Sequence, residues 1–210
     1  MNMPELQCLT LDDISLSHEE QVRALCAAGA RSIQLRMKQA PDNEVADVVA
    51  ACLPVCRAAH CTLIVNDRVN VALGTGADGV HLGRLDMAWT DVAARAAGRL
   101  RIGGTVNSVA DAVDAVEAGV LDYVGVGPFR ITPTKQNLAP VLTPEDWRAI
   151  LEILGSIPAY AIGGILPADI PAIRARGLRG AAVCARLYQG GAIAQNYQLF
   201  MNAWHGCAGH

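Results

Sequence analysis

The sequence has few aromatic residues, no excess of positive charge and no long uninterrupted apolar run. Phe, Trp and Tyr together make up 4% of the 210 residues, and the formal net charge is −3. Since nucleic acids and anionic membrane surfaces attract basic proteins, this charge gives no reason to expect either as a partner. Charges or glycines interrupt every apolar run before the roughly 20 residues of a membrane helix.

The N-terminal segment also lacks the basic start and apolar stretch of a signal peptide, which predicts a cytoplasmic protein. The seven cysteines of the protein are scattered along the chain and are expected to be reduced thiols. A zinc site at Cys52, Cys56, His60 and Cys61 is an alternative, but the spacing lacks a closely paired cysteine motif. Buried free thiols are therefore the favoured interpretation.

Several nucleotide-binding and nucleophilic motifs are missing as well. No P-loop occurs, and Gly125-Val-Gly127 lacks the third glycine of a dinucleotide fingerprint. No Ser/His/Asp or Cys/His pair is evident, so the sequence does not indicate covalent catalysis.

Short apolar runs alternate with longer amphipathic stretches along the whole chain, a pattern typical of parallel βαβ units. Hydrophobic residues make up 52% of the sequence, enough for one sizeable core. Strands are predicted at Leu6–Leu11, Ser32–Met37, Thr62–Asn66, Gly79–Gly83, Arg101–Thr105, Asp122–Gly127, Ala159–Gly163 and Gly180–Ala185. We predict an α/β fold, one (β/α)8 TIM barrel domain over residues 1–210, with the active site at the C-terminal ends of the strands. An open doubly wound sheet is the alternative.

The second predicted strand carries polar side chains on one face. Period-two alternation places Gln34, Arg36 and Lys38 together, opposite an apolar face that can pack against helices. Solvation at a strand end would explain Lys38 alone. It explains Gln34 and Arg36 poorly, because a barrel interior must pair or hydrate them.

Two aspartates follow the third and fourth predicted strands. Asp67 and Asp86 face nearby cations, and hard carboxylate oxygens are ligands that Mg²⁺ prefers beside phosphates. Alternatively, Asp67 is a turn residue paired with Arg68, and Asp86 is the N-cap of the next helix. Their joint placement favours a magnesium and polyphosphate site.

The remaining strand ends suggest phosphate binding. Gly125 and Gly127 share one face and leave room for a bound ring or a close backbone approach. The long aperiodic segment from Phe129 to Leu142 is expected to be a mobile lid. On this segment, Thr132 and Thr134 supply hydroxyl groups and Lys135 an ammonium group for phosphate oxygens. Backbone N–H groups for a phosphate are expected after strands seven and eight, at Gly163-Gly164 and Cys184-Ala185. A single histidine in a barrel strand is more often packed or hydrogen-bonded than in contact with a ligand, and this is the favoured interpretation of His81.

These residues together resemble the thiamine-phosphate synthase family. The matching segments, in the family's order, are QLRMK, VNDR, VNVAL, ADGVHLGRLDM, IGGTVNS, DYVGVGPFRITPTK, AIGGI and GAAVCA. The resemblance implies condensation of 4-amino-2-methyl-5-hydroxymethylpyrimidine diphosphate with thiazole phosphate, releasing diphosphate.

The resemblance also implies roles for individual residues. Asp67 and Asp86 would hold Mg²⁺, and Arg36, Lys38 and Lys135 would be catalytic. Residues implied to bind the substrates are Gln34, Arg36, Lys38, Asn66, Thr105, Thr132, Thr134, Lys135, Gly164, Cys184 and Ala185.

Departures from the family pattern are Arg84 in place of glutamine, Ala185 in place of serine, and Thr10-Leu11-Asp12 at the end of strand one. A metal-free thiazole tautomerase and a non-catalytic phosphate-ligand sensor are the rival functions. Small-molecule substrates are the expected partners, and a homo-oligomer is left open.

Overall fold

The computed structural model describes residues 3–130 and 139–206. Eight parallel strands pair in chain order and close into a barrel, because β8 pairs with β1. The strands are β1 Leu6–Leu9, β2 Ser32–Leu35, β3 Thr62–Asn66, β4 Gly79–Leu82, β5 Arg101–Val106, β6 Tyr123–Val126, β7 Ala159–Ile162 and β8 Gly180–Val183. The predicted (β/α)8 TIM barrel is confirmed, and the doubly wound sheet is excluded.

Helices follow the strands and form the outer layer. They are α1 His18–Ala27, α2 Asp42–Ala58, α3 Val69–Thr75, α4 Trp89–Ala96, α5 Val109–Ala118, α6 Pro144–Leu154, α7 Ile170–Ala175, α8 Ala185–Tyr188 and α9 Ile193–His205. Capping boxes begin α1 at Ser17 and α6 at Thr143, each satisfying backbone N–H groups of the first turn. Within the described residues, no helix is long and apolar enough to cross a bilayer.

Alternation along the strands divides the core into two parts. The larger part lies between the barrel and the helices, and includes Ile33, Leu63 and Val80. A smaller apolar cluster fills the inside of the barrel, with Tyr123 and Tyr160 in edge-to-face contact at 5.8 Å between ring centroids. Buried polar side chains share this interior and lead towards the C-terminal mouth.

All eight predicted strands are present, but β1, β2 and β8 end two residues earlier than predicted. The residues after those ends form loops instead of ladder positions. Arg36, Lys38 and Cys184 therefore lie on connections at the mouth of the barrel, and Ala185 is the first residue of α8.

Candidate active site

The residues after β2, β3 and β4 bring opposite charges together at the mouth. Lys38 Nζ forms an ion pair and hydrogen bond with Asp67 Oδ2. Asp86 lies close enough to Asp67 that the charge of Asp67 acts on it. The sequence prediction that Lys38, Asp67 and Asp86 converge is therefore supported by their positions. Asp67 has a positive φ of 63°, so the turn after β3 is tight.

The electrostatics of Asp86 differ from those of an ordinary surface carboxylate. Partial desolvation, followed by the negative charge of Asp67, raises its pKa. Its Oδ2 accepts a hydrogen bond from the Gly83 N–H at 2.6 Å, which opposes that rise. The negative charge of Asp67 disfavours ionisation of Asp86, and a bound cation would relieve that repulsion.

Asp67 is a turn residue, as its alternative interpretation expected, but its pairing with Arg68 and the capping role of Asp86 are wrong. Asp67 pairs with Lys38, whereas Arg68 pairs with Asp42 at 3.0 Å. The N-cap of α4 is Ala88, so Asp86 does not cap that helix.

A chain of hydrogen bonds runs through the barrel to Thr105. Gln34 Nε2 donates to Gln7 Oε1 at 3.3 Å, and Gln7 Nε2 donates to the Tyr123 hydroxyl at 3.1 Å. That hydroxyl lies 3.2 Å from His81 Nδ1, and His81 Nε2 lies 3.1 Å from Thr105 Oγ1. Burial raises the pKa of Tyr123 well above its ordinary value, so the hydroxyl keeps its proton.

The direction of this chain assigns the roles of its members. The Tyr123 hydroxyl accepts from Gln7 and so has its own proton free to donate to His81 Nδ1. In the His81 tautomer protonated at Nε2, the ring would then donate to Thr105 Oγ1. The hydroxyl proton of Thr105 would in that case be available to an anion at the mouth. His81 is a packed barrel histidine, which agrees with the favoured interpretation of the sequence.

A second polar cluster holds Arg36. Arg36 Nη1 lies 3.4 Å from Asp12 Oδ2, and its backbone N–H donates to Thr10 Oγ1 at 2.9 Å. Asp12 Oδ2 also accepts from the Lys38 backbone N–H at 3.3 Å, and Asp12 Oδ1 lies 3.2 Å from His18 Nε2. Burial lowers the pKa of His18, although the charge of Asp12 opposes this. Asp12 thus positions the segment that carries both predicted cations.

The two glycines of β6 have different structural reasons. A Cβ at Gly125 would lie 3.5 Å from His81 Cε1, which is an ordinary van der Waals contact, so a methyl group would fit there inside the barrel. A Cβ at Gly127 would lie 2.1 Å from the Ile162 carbonyl oxygen, so the close approach of β7 requires glycine there. Close backbone approach therefore applies to Gly127, whereas room for a bound ring at Gly125 stays a prediction.

The ends of β7 and β8 present backbone groups at the mouth. Gly163 and Gly164 have φ values of 104° and 63°, which side-chain-bearing residues rarely adopt. Cys184 Sγ donates to the Thr10 carbonyl at 3.6 Å, and burial raises its pKa to about 12. This thiol is therefore neutral and adds no negative charge beside Ala185.

Sequence reasoning missed an anchor between two loops. Arg130 makes a bidentate ion pair with Asp169, at 2.6 and 2.8 Å, and donates to the Gly164 carbonyl at 2.7 Å. It thereby ties the connection after β6 to the connection after β7. Asp12 and His18 were also missed, although an aspartate shortly after strand one was a signal for the first of them.

Other predicted residues lie apart from these clusters or cannot be placed. Asn66 is buried at the end of β3. Arg84 pairs with Asp111 at 3.0 Å and Asp114 at 2.5 Å on α5, so it is directed away from the barrel axis. The predicted site residues Thr132, Thr134 and Lys135, with most of the predicted lid, lie outside the described residues.

Known proteins match this sequence over most of its length. The family model described as thiamine monophosphate synthase matches residues 8–187. Thiamine-phosphate synthase from Bacteroides fragilis is 40% identical over 191 residues, which cover 89% of this chain and 93% of the relative. A second relative of that description, from Bacteroides thetaiotaomicron, is 40% identical over 185 residues, covering 86% and 88%.

Solved structures superimpose on this barrel over nearly its whole length. Thiamine phosphate pyrophosphorylase from Pyrococcus furiosus superimposes with a TM-score of 0.86 and 30% identity, covering 98% of this chain and 97% of that one. A 3-hexulose-6-phosphate synthase superimposes with a TM-score of 0.67 and 16% identity, covering 95% and 99%, which shows a shared fold alone.

Proposed function

The chain belongs to the thiamine monophosphate synthase family, and we propose that it makes thiamine phosphate by joining two phosphorylated heterocycles. It is a transferase. Its substrates are 4-amino-2-methyl-5-hydroxymethylpyrimidine diphosphate and thiazole phosphate, and its second product is diphosphate. The observation that carries the proposal is the meeting of Lys38, Asp67 and Asp86 at neighbouring strand ends.

We assign the pyrimidine diphosphate to the side of the mouth formed by β2 to β5. Arg36 and Lys38 provide positive charge there, and Thr105 provides a hydroxyl proton directed by His81. Gln34 and Asn66, which are buried on β2 and β3, are assigned to the same side. Lys135 is proposed to complete the anion site from the segment that the structure does not describe.

The thiazole phosphate is assigned to the opposite side, at the ends of β7 and β8. Backbone groups of Gly164, Cys184 and Ala185 would hold its phosphate, and Thr132 and Thr134 would contact the ring or phosphate. The neutral thiol of Cys184 and the glycine conformations support this assignment, because neither repels nor obstructs an anion.

Asp67 and Asp86 fit a divalent cation. Their mutual repulsion and the raised pKa of Asp86 are relieved by positive charge, and both offer hard oxygen donors. When bound, Mg²⁺ would neutralise charge that develops on the departing diphosphate.

The chain's own residues would act by stabilising the leaving group and positioning the reactants. Arg36, Lys38 and Lys135 would bind the diphosphate more strongly as its negative charge grows, and so lower the barrier to its departure. Thr105 would donate a hydrogen bond to the same group. The thiazole nitrogen would attack the pyrimidine methylene carbon as the bond to oxygen breaks. A thiazolium nitrogen forms without loss of a proton, so no protein base is required.

Diphosphate release tests the proposal. The purified chain should release diphosphate only when both substrates and Mg²⁺ are present, and EDTA should stop the reaction. Turnover of thiazole phosphate alone without metal would instead identify a tautomerase. Binding of both ligands without release would identify a sensor. A cytoplasmic location and a homo-oligomeric state remain predictions.

A further inference from the structure

Three cysteine thiols meet at the end of the barrel opposite the proposed active site. Cys26 lies in the last turn of α1, Cys56 in the last turn of α2, and Cys61 immediately before β3. Their sulfur atoms all lie within 4.8 Å of one another. Cys56 and Cys61 are buried and Cys26 is partly exposed. The mechanism proposed above uses none of them.

The backbone holds this cluster in place. The Cys61 N–H donates to the Cys56 carbonyl at 2.8 Å, which closes the turn between α2 and β3. Packing of α1 beside α2 then brings Cys26 Sγ to 4.0 Å from Cys56 Sγ. The alternative zinc site considered from the sequence, at Cys52, Cys56, His60 and Cys61, did not include Cys26, because only the fold brings α1 to this turn.

The spacing of the sulfurs suits one ion with three thiolate ligands. Metal–sulfur bonds of about 2.3 Å in a trigonal plane place the sulfurs about 4.0 Å apart. That value equals the Cys26–Cys56 separation, and the other two separations lie within 4.8 Å. A disulfide needs sulfur atoms about 2.05 Å apart, so it would require these two thiols to move together.

We propose that Cys26, Cys56 and Cys61 form a binding site for a soft, thiophilic monovalent cation, Cu(I) being the best match. Thiolate ligands select Cu(I), whereas structural zinc sites almost always have four ligands. Among the residues that the structure describes, no fourth His, Cys, Asp or Glu joins this group. Three ligands therefore favour an ion that is stable with three.

Binding would release the thiol protons without electron transfer. Each coordinating thiol loses one proton to solvent, three in all, and copper remains in the +1 state. The complex would carry a net charge of −2, which the C-terminal ends of α1 and α2, where the cluster lies, do not favour. Arg31, whose Nη1 donates to the Ala59 carbonyl at 2.5 Å, is a basic side chain hydrogen-bonded to the same turn.

The test is a competition titration of the reduced full-length protein with Cu(I), under anaerobic conditions, against a chromophoric Cu(I) chelator. Cys26→Ser and Cys61→Ser each remove a ligand. Cys52→Ser is the matched control, because Cys52 is buried on α2 one turn before Cys56 but lies outside the group. Melting temperature and diphosphate release report whether each variant is folded.

We expect one Cu(I) per chain, and X-ray absorption should show three sulfur ligands at about 2.3 Å. Either ligand variant should weaken binding by on the order of 100-fold or more, beyond the effect of an outer-shell change. Cys52→Ser should bind like the wild type. At a hundredfold excess over Kd, Cu(I) should raise Tm by roughly 5–10 °C.

Equal Cu(I) affinity in folded Cys26→Ser and wild-type protein would overturn the proposal. Binding through two sulfurs, or tighter binding of Zn²⁺ with a fourth ligand, would also contradict it. If Cys61→Ser does not fold, Cys26→Ala provides the decisive comparison, since Cys26 is partly exposed and tolerates a smaller side chain better. Rapid loss of the Cys26 and Cys56 thiols on air oxidation, with no Cu(I) bound beforehand, would identify a disulfide pair instead.

Discussion

Replacing Tyr123 with phenylalanine tests whether the buried hydrogen-bond chain directs Thr105. The hydroxyl of Tyr123 is the partner of Gln7 Nε2 and of His81 Nδ1, and the ring is fully buried. Its removal leaves the buried Gln7 donor unsatisfied, which costs about 1–3 kcal/mol. For a chain of this size, 2 kcal/mol corresponds to a fall in Tm of about 4–8 °C.

The same change should affect the reaction, because His81 loses the contact that fixes its donor towards Thr105. A hydrogen bond to a charged group contributes about 1.5–3 kcal/mol, and loss of direction removes only part of it. A loss of about 1–2 kcal/mol corresponds to a roughly 5- to 30-fold fall in kcat/KM for the pyrimidine substrate. Steady-state diphosphate release and differential scanning calorimetry measure the two effects.

Tyr160→Phe is the matched control. Tyr160 lies beside Tyr123 inside the barrel, but its hydroxyl donates to the Pro4 carbonyl at 2.5 Å. It should lose stability without a comparable loss of kcat/KM. If both variants have the same kcat/KM, the chain does not direct Thr105 and the argument is refuted.

Three further variants test the charged groups at the mouth. Asp86→Asn should lower kcat by roughly 10²- to 10³-fold. The raised pKa of Asp86 means that its ionised carboxylate destabilises the folded protein at pH values above the ordinary pKa. The metal-free Asp86→Asn variant should therefore have a Tm at pH 7 equal to or above that of the wild type. A lower Tm would contradict this electrostatic assignment. Lys135→Met should lower kcat by raising the activation free energy by about 2–4 kcal/mol. A change in KM alone would mean that Lys135 only binds the substrate. Asp12→Ala should reduce kcat/KM about 10-fold by releasing Arg36, and unchanged kinetics would count against that positioning role.

The barrel could be predicted because its signals are local. Each strand is a short apolar run, and each connection carries turn residues, so the order of elements follows from the sequence. The position of Gln34 inside the barrel was predictable for the same reason, since alternation depends only on neighbouring positions, but Arg36 and Lys38 lie beyond the end of β2. The pairing of Lys38 with Asp67 follows once β2 and β3 are adjacent.

The contacts that were missed join residues far apart in sequence. Tyr123 meets Gln7 across 116 positions, and Arg130 meets Asp169 across 39. No periodicity encodes such contacts, because they depend on which side chains the closed barrel turns towards one another. The cluster of Cys26 with Cys56 and Cys61 was missed for the same reason. The pairing of Asp67 with Arg68 was wrong because the tight turn directs the two side chains to different partners.

The central claim is that this chain joins the two heterocycles, and isotope labelling tests it most directly. Pyrimidine diphosphate labelled at its methylene carbon is incubated with thiazole phosphate, Mg²⁺ and the purified chain, and the products are resolved by mass spectrometry. Our account predicts thiamine phosphate that carries the label, together with an equal amount of diphosphate, and neither product when Mg²⁺ is removed. Unlabelled rearranged thiazole phosphate, with the pyrimidine diphosphate left intact, would contradict it.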